Sequence, residues 1–258
     1  MTSDRIIAWF SAGIPSAVAA RLTIARHGHD NVTVARIDTG AEHPDQARFQ
    51  ADVERWLDHP VTVLRSEDFF DTWAVWEKRR FIVGPTGAPC TVELKRKVRY
   101  AFQQPTDVHV FGYTAEETSR VEQFRRSEPG LTIAHPLIDA GLRVEDCHAL
   151  VERVGIEPPA MYRLGFRNNN CIGCPKGGIG YWNHIRRHFP AVFDRMAKLE
   201  REIGYAVLSE QIPGDPTRSK RPVWLDELDP DRGDMLTETV HQCSLICASV
   251  ESDLEAVS

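Results

Sequence analysis

Five short apolar runs, separated by helical stretches, constrain this chain more than any other feature. They are residues 6–10, the run "VTVARID" ending at Asp38, "PVTVL", "DVHVFGYT" and "LTIAHPL". Apolar, β-branched runs of this length read as strands buried on both faces. Between them, "PDQARFQADVERWL" places Phe49, Val53, Trp56 and Leu57 at helical spacing, and "TVELKRKVRYAFQQ" reads as helical. Strands alternating with helices over short connections predict an α/β fold: a mostly parallel, doubly wound sheet with helices on both faces. Ligands of such sheets lie at the carboxyl ends of the strands. Residues 11–16, 38–40 and 112–120 fall at such ends.

From about residue 140 the pattern changes. "VEDCHALVERVG" is a helix with Val144, Cys147, Val151 and Val154 on one face, so Cys147 reads as core. A Cys-x-x-Cys pair follows, then a helix through "FPAVFDRMAKLEREIG". Residues 209–237, rich in Pro, Asp and Arg, read as an irregular arm. The expected division is residues 1–205, a nucleotide-binding α/β domain with a cysteine cluster, and residues 206–258, an arm and tail carrying Cys243 and Cys247.

The net charge of −6 disfavours duplex nucleic acid as partner, which more often selects a basic excess. A small anion on a local basic patch fits better, and nucleic acid stays undecided. No apolar run approaches membrane-spanning length, and the N-terminal apolar stretch is too short for a signal peptide. A cytoplasmic protein without a membrane partner is expected. Six cysteines then read as metal or redox chemistry rather than a disulfide framework.

"FSAGIPSAVAA" places Ser11, Gly13 and Ser16 between strand and helix. Small residues let backbone N–H groups turn inward around an anion, and the following helix adds its dipole. Pro15 suits a first helical turn, where its missing N–H costs nothing. A tight turn without a ligand explains this stretch equally well on its own.

The stretch resembles the pyrophosphate loop, S-G-G-x-D-S, of the ATP pyrophosphatase superfamily (adenine nucleotide alpha hydrolase-like), and more closely its phosphoadenosine phosphosulfate (PAPS)/APS reductase branch. Further matches follow in the family's order. "IDTGAEHPD" resembles D-T-G-x-x-x-P-E, "CTVELKRK" resembles C-T-x-x-x-K, and "GYTAEETSR" resembles G-x-R-x-x-E-S-x-R. "HPLIDAGLRVEDCHALVERVGIEPPAMYRLGF" resembles P-L-x-D-W-x-x-x-D-V-W … N-P-x-Y-x-x-G. The resemblance spans roughly residues 5–205 and implies a nucleotide site with Ser11, Gly13, Ser16, Asp38, Gly112, Glu117 and Arg120. Pro15 stands where ATP-cleaving members have Asp, and Thr114 where the family usually has Arg.

The resemblance also implies a 4Fe–4S cluster beside the nucleotide. Cys90, Cys171 and Cys174 match its ligands, and Pro89 occupies the place of a fourth. One iron then stays open, or a C-terminal cysteine such as Cys247 supplies the last ligand. Zinc on Cys171, Cys174, Cys243 and Cys247 is the alternative, though it leaves Cys90 unexplained. A thioredoxin-like dithiol is disfavoured, since "CIGC" does not open a helix after a strand. Cys243, in "HQCSLICAS", resembles the family's catalytic cysteine in its E-C-G-I/L-H tail motif, with departures around it. That implies thiolate attack on a bound sulfonucleotide and release of sulfite to a thioredoxin-like donor. Lys95 is the candidate cation to screen the sulfate, while most of "KRKVR" reads as a solvated helix face. His184 and His188 likewise read as part of an exposed basic face.

Three functions thus compete: a sulfonucleotide reductase-like oxidoreductase, an ATP-dependent enzyme of sulfur transfer or nucleotide or nucleic-acid modification, and a zinc-stabilised nucleotide-binding protein without catalysis.

Overall fold

The structure, a computed structural model, describes residues 5–85, 87–215, 217 and 219–238. The first compact unit comprises the residues up to Asp38, Glu42–Ser66 and Arg96–Asn169. Its centre is a five-stranded sheet of β1 (Ile6–Trp9), β2 (Val32–Ile37), β3 (Val61–Leu64), β4 (Val108–Val110) and β5 (Thr132–Ala134). The order is β3-β2-β1-β4-β5 and every pairing is parallel. This is the α/β sheet expected from the apolar runs. The chain winds from β1 outward to β3, then returns to place β4 on the other side of β1. The switch point therefore lies between β1 and β4.

Alternation along β1 sorts its two faces. Ala8 and Phe10 join a core with α1 (Ile14–His27), α2 (Gln46–Leu57) and α8 (Val144–Arg153), to which Phe49, Val53, Leu57 and Cys147 contribute. Cys147 is thus the core residue its helix face predicts, and burial pushes its thiol up to about 12. Trp9 points the other way, edge-on to Phe102 of α5 (Lys97–Phe102), and Phe111 meets Phe124 of α6 (Thr118–Ser127).

One expectation fails on this face. Arg96 and Arg99, read as solvated, are buried; Arg99 is fully enclosed and pairs with Glu128 at 2.5 Å. Tyr100 donates to the same carboxylate at 2.8 Å. The charge run is local, but its partner comes from 29 residues along the chain.

The second unit comprises Thr39–Ala41, Glu67–Lys95 and the residues from Asn170 on. It holds α3 (Thr72–Arg79), α4 (Pro89–Thr91), α10 (Ile179–His188) and α11 (Pro190–Ile203). The short α7 (Pro136–Asp139) and α9 (Ala160–Arg163) belong to the first unit. Residues 206–238 fall in the same unit as 170–205.

The arm read as irregular contains an antiparallel hairpin, β6 (Leu208–Gln211) with β7 (Lys220–Val223), and a 3₁₀ turn at Leu225–Glu227. Buried Glu200 of α11 holds it by accepting from Val207 N–H at 2.6 Å and Leu225 N–H at 2.9 Å. Glu200→Ala strands both donors and is expected to cost about 2 kcal/mol, read as a lower urea midpoint at unchanged slope. An unchanged midpoint would show the bonds to be dispensable. No helix among the described residues is long and apolar enough to cross a membrane.

Candidate functional site

The first candidate site lies in the first unit, at the carboxyl ends of β1 and β4. After β1 the chain turns sharply, with Ala12 in the left-handed region at φ 56°. Ser16 locks the turn from inside the helix. Its Oγ accepts from Ser11 N–H and Ser11 Oγ at 3.1 Å each, and donates to the Gly13 carbonyl at 2.8 Å. Pro15 sits in the first turn of α1, as its chemistry predicts. Gly112, after β4, packs on this loop. A Cβ there would lie 2.7 Å from Ser16 Cα and N. The structure thus brings Ser11, Gly13, Ser16 and Gly112 together at the sheet's switch point.

Two further residues hold the loop, and sequence reading passed over both. Asn169 donates through Nδ2 to the Ala12 carbonyl at 2.8 Å. Tyr162 presents its phenol to the Ile14 and Asn169 N–H groups, and burial pushes that phenol up to about 12. Tyr162 is the tyrosine of the quoted "EPPAMYRLGF" run, which was the signal available for it.

Glu117 and Arg120 pair with each other. Glu117 also accepts from Thr114 N–H at 3.0 Å, closing a capping box, while Arg120 lies over the Tyr113 ring at 5.2 Å. Thr114 is fully buried here. Asp38, just past β2, pairs with Arg65 at 2.6 Å and Arg36 at 3.5 Å. The neighbouring "HPD" is structural: Asp45 accepts from Ala160 N–H and is held down to about 2, chiefly by its hydrogen bonds from Arg48. His135, at the carboxyl end of β5, is buried with neither ring nitrogen hydrogen-bonded among the described residues, and burial lowers its pKa.

The second candidate site lies in the second unit. Cys171 and Cys174 are buried in the loop before α10. Thr39 Oγ1 lies 3.0 Å from Cys171 Sγ, and Ile172 N–H donates to the Ala41 carbonyl at 2.8 Å. Tyr181 spans the loop. Its phenol accepts from Cys174 N–H at 2.8 Å and donates to the Cys171 carbonyl at 3.3 Å. Burial raises that phenol well above its ordinary pKa, and Cys174 adds to the effect.

Cys90 is buried in α4, and half-buried Lys95 lies on the π-helical turn Val92–Arg96 that follows. Such turns are frequent at functional positions. Among the described residues no three His, Cys, Asp or Glu side chains are gathered so as to hold a metal ion. Cys243 and Cys247 lie outside the described residues. The His184 and His188 rings lie 4.4 Å apart between centroids, tilted by 58°, on a helix whose Arg186 is half-buried rather than solvated.

No protein-family model matches this chain. Over 211 residues, 75% of its length, it is 25% identical to an uncharacterised protein of Methanocaldococcus jannaschii, and the match spans 41% of that relative. Among solved structures, the phosphoadenylyl-sulfate (PAPS) reductase of Candida auris, in complex with phosphate, is similar at a TM-score of 0.46 and 11% identity. That alignment covers 66% of this chain and 82% of the reductase.

Proposed function

We propose that this chain is a sulfonucleotide reductase-like enzyme that binds an adenine nucleotide on the β1–α1 loop. The observation that carries the reading is the joint between Ser16 and Gly112 at the switch point of a parallel sheet. Ligands of such sheets bind there, and a phosphate group suits the amino end of α1. Ser11, Gly13 and Ser16 would cradle the phosphate, with Asp38, Glu117 and Arg120 as further contacts.

In this reading the Cys243 thiolate attacks the sulfur of the bound sulfonucleotide. The bond from that sulfur to the phosphate oxygen breaks, and AMP or its 3′-phosphorylated form leaves with the electron pair. A donor dithiol of the thioredoxin kind then attacks the Cys243 sulfur. Sulfite departs, the donor closes to a disulfide, and the Cys243 thiol is restored. Arg120, in the same unit as the loop, would supply positive charge against the sulfate oxygens.

The cofactor belongs to the proposal as well. Cys171 and Cys174 would be two ligands of a 4Fe–4S cluster, with Cys90 and Cys247 as the others, or two of the four thiolates on zinc. Metal analysis of the purified protein separates iron from zinc. The deciding experiment is an intact mass after incubation with APS or PAPS, without added thiol. A sulfo adduct on Cys243 is expected. Its absence with both nucleotides, on folded and metal-loaded protein, overturns the reading in favour of ATP-dependent sulfur transfer.

A further inference from the structure

One buried side chain at the carboxyl end of the sheet has no hydrogen-bond partner among the described residues. His135 follows β5 directly, and its backbone carbonyl accepts from Asp139 N–H of α7 at 3.0 Å. The residue is 6% exposed, yet neither Nδ1 nor Nε2 is hydrogen-bonded among the described residues. Buried polar atoms are paired in the great majority of cases, and leaving one unpaired costs stability. Here two atoms of one ring stay open, at the end of the sheet where ligands bind.

The surroundings tie this ring to the β1–α1 loop, within the first unit. Its centroid lies 6.0 Å from that of Tyr113, and the Arg120 guanidinium lies 5.2 Å from the same Tyr113 ring. Tyr113 directly follows Gly112, which packs on Ser16. Two residues past His135, Leu137 is fully buried in the core that holds Ile14 and Ala17 of α1. Residues 112–113 and 135–137 thus carry the imidazole to the same end of the sheet as the loop.

The chemistry of the ring narrows the ligand. Burial foremost, then the charge of Arg125, lowers its pKa, while Asp139 opposes them. A neutral imidazole offers one N–H donor and one acceptor nitrogen, on different sides of the ring. Ionised phosphate oxygens only accept, so they would leave the acceptor nitrogen unpaired. Ribose hydroxyls donate and accept, and adenine carries both kinds of atom.

We propose that His135 is a specificity residue that hydrogen-bonds the nucleoside part of the bound nucleotide, its ribose or adenine, while the β1–α1 loop holds the phosphate. This rests on the proposed function for the presence of a nucleotide, and not for the sulfur chemistry.

The experiment replaces the ring in the full chain. His135→Phe keeps an aromatic ring beside Tyr113, and His135→Leu removes the nitrogens without added bulk. No protein hydrogen bond of the ring is lost and two unpaired atoms go, so at least one variant is expected to melt no lower than wild type. Calorimetric titration with AMP is expected to show binding weakened about threefold to tenfold in both, the loss of one neutral hydrogen bond or two. Affinity for pyrophosphate should not change. Ribose 5-phosphate assigns the bond: a matching loss places it on the sugar, an unchanged affinity on the base. His135→Asn, which keeps a donor and an acceptor, should bind AMP more tightly than His135→Phe. Equal AMP affinity in wild type and both apolar variants overturns the proposal, leaves the proposed function standing and assigns the open nitrogens to water. An equal loss for pyrophosphate, or a lower melting temperature in both apolar variants, also overturns it, the first by placing the ring on phosphate and the second by giving it a structural partner. A wild type that binds pyrophosphate but not AMP retires the proposed function, and the contact with it.

Discussion

Gly112→Val is expected to weaken adenine nucleotide binding about tenfold to a hundredfold, the range that one to three kilocalories of overpacking produces. The atoms a Cβ would meet are backbone: Ser16 Cα and N at 2.7 Å and the Pro15 carbonyl carbon at 2.9 Å. No side-chain rotation relieves such a contact, so the loop must retreat from β4. The retreat breaks the alignment of Ser11, Gly13 and Ser16 while β1 and β4 keep their pairing. Calorimetric titration with AMP reads the effect. Gly130→Ala is the control, since nothing lies within 4 Å of its added carbon. Unchanged affinity in Gly112→Val would place the nucleotide elsewhere.

The second large effect is acid sensitivity from His109. This residue is fully buried on β4, stacked between Trp9 and Phe111, with Nδ1 accepting from Trp9 Nε1–H at 3.0 Å. That bond requires the neutral ring. Burial foremost, then the charge of Arg99, lowers its pKa to about 4; Arg5 adds to this, while Asp107 and Glu128 oppose it. The unfolded chain titrates near 6.5, so between these values it binds the proton and the folded chain does not. Stability is therefore full above pH 6.5 and lost as pH falls toward 4, by about 3 kcal/mol in all. Urea unfolding at pH 7.5 and 4.5 measures it. His109→Gln, which keeps an acceptor for Trp9, should flatten much of the slope; an undiminished slope would assign the effect to other groups.

The strands were legible because both faces of this sheet are covered, which leaves unbroken apolar runs in the sequence. Helices α2 and α8 announced themselves through the spacing of their apolar residues. The β6–β7 hairpin did not: "LSEQ" and "KRPV" are mostly polar and exposed, and a proline sits within the second. Nor did the burial of Arg96 and Arg99, which Glu128 decides from a distant part of the chain. At the candidate site, Ser11, Ser16 and Gly112 could be read because small residues at strand ends are a local signal. Asn169 reaches the Ala12 carbonyl across 157 positions, and no local pattern encodes such a bond.

The interleaving of the two units has a consequence for synthesis. The chain changes unit at residues 38/39, 41/42, 66/67, 95/96 and 169/170. A ribosome emitting β1, β2 and β3 has delivered only three adjacent strands of the sheet, with one side of β1 still open to solvent. That edge stays unpaired until β4 emerges, and Asn169 arrives later still to hold the β1–α1 loop. Exposed strand edges are where nascent chains pair wrongly. Arrested chains ending near residue 105 should therefore need chaperone protection, whereas those released past residue 169 should already resist protease across the sheet.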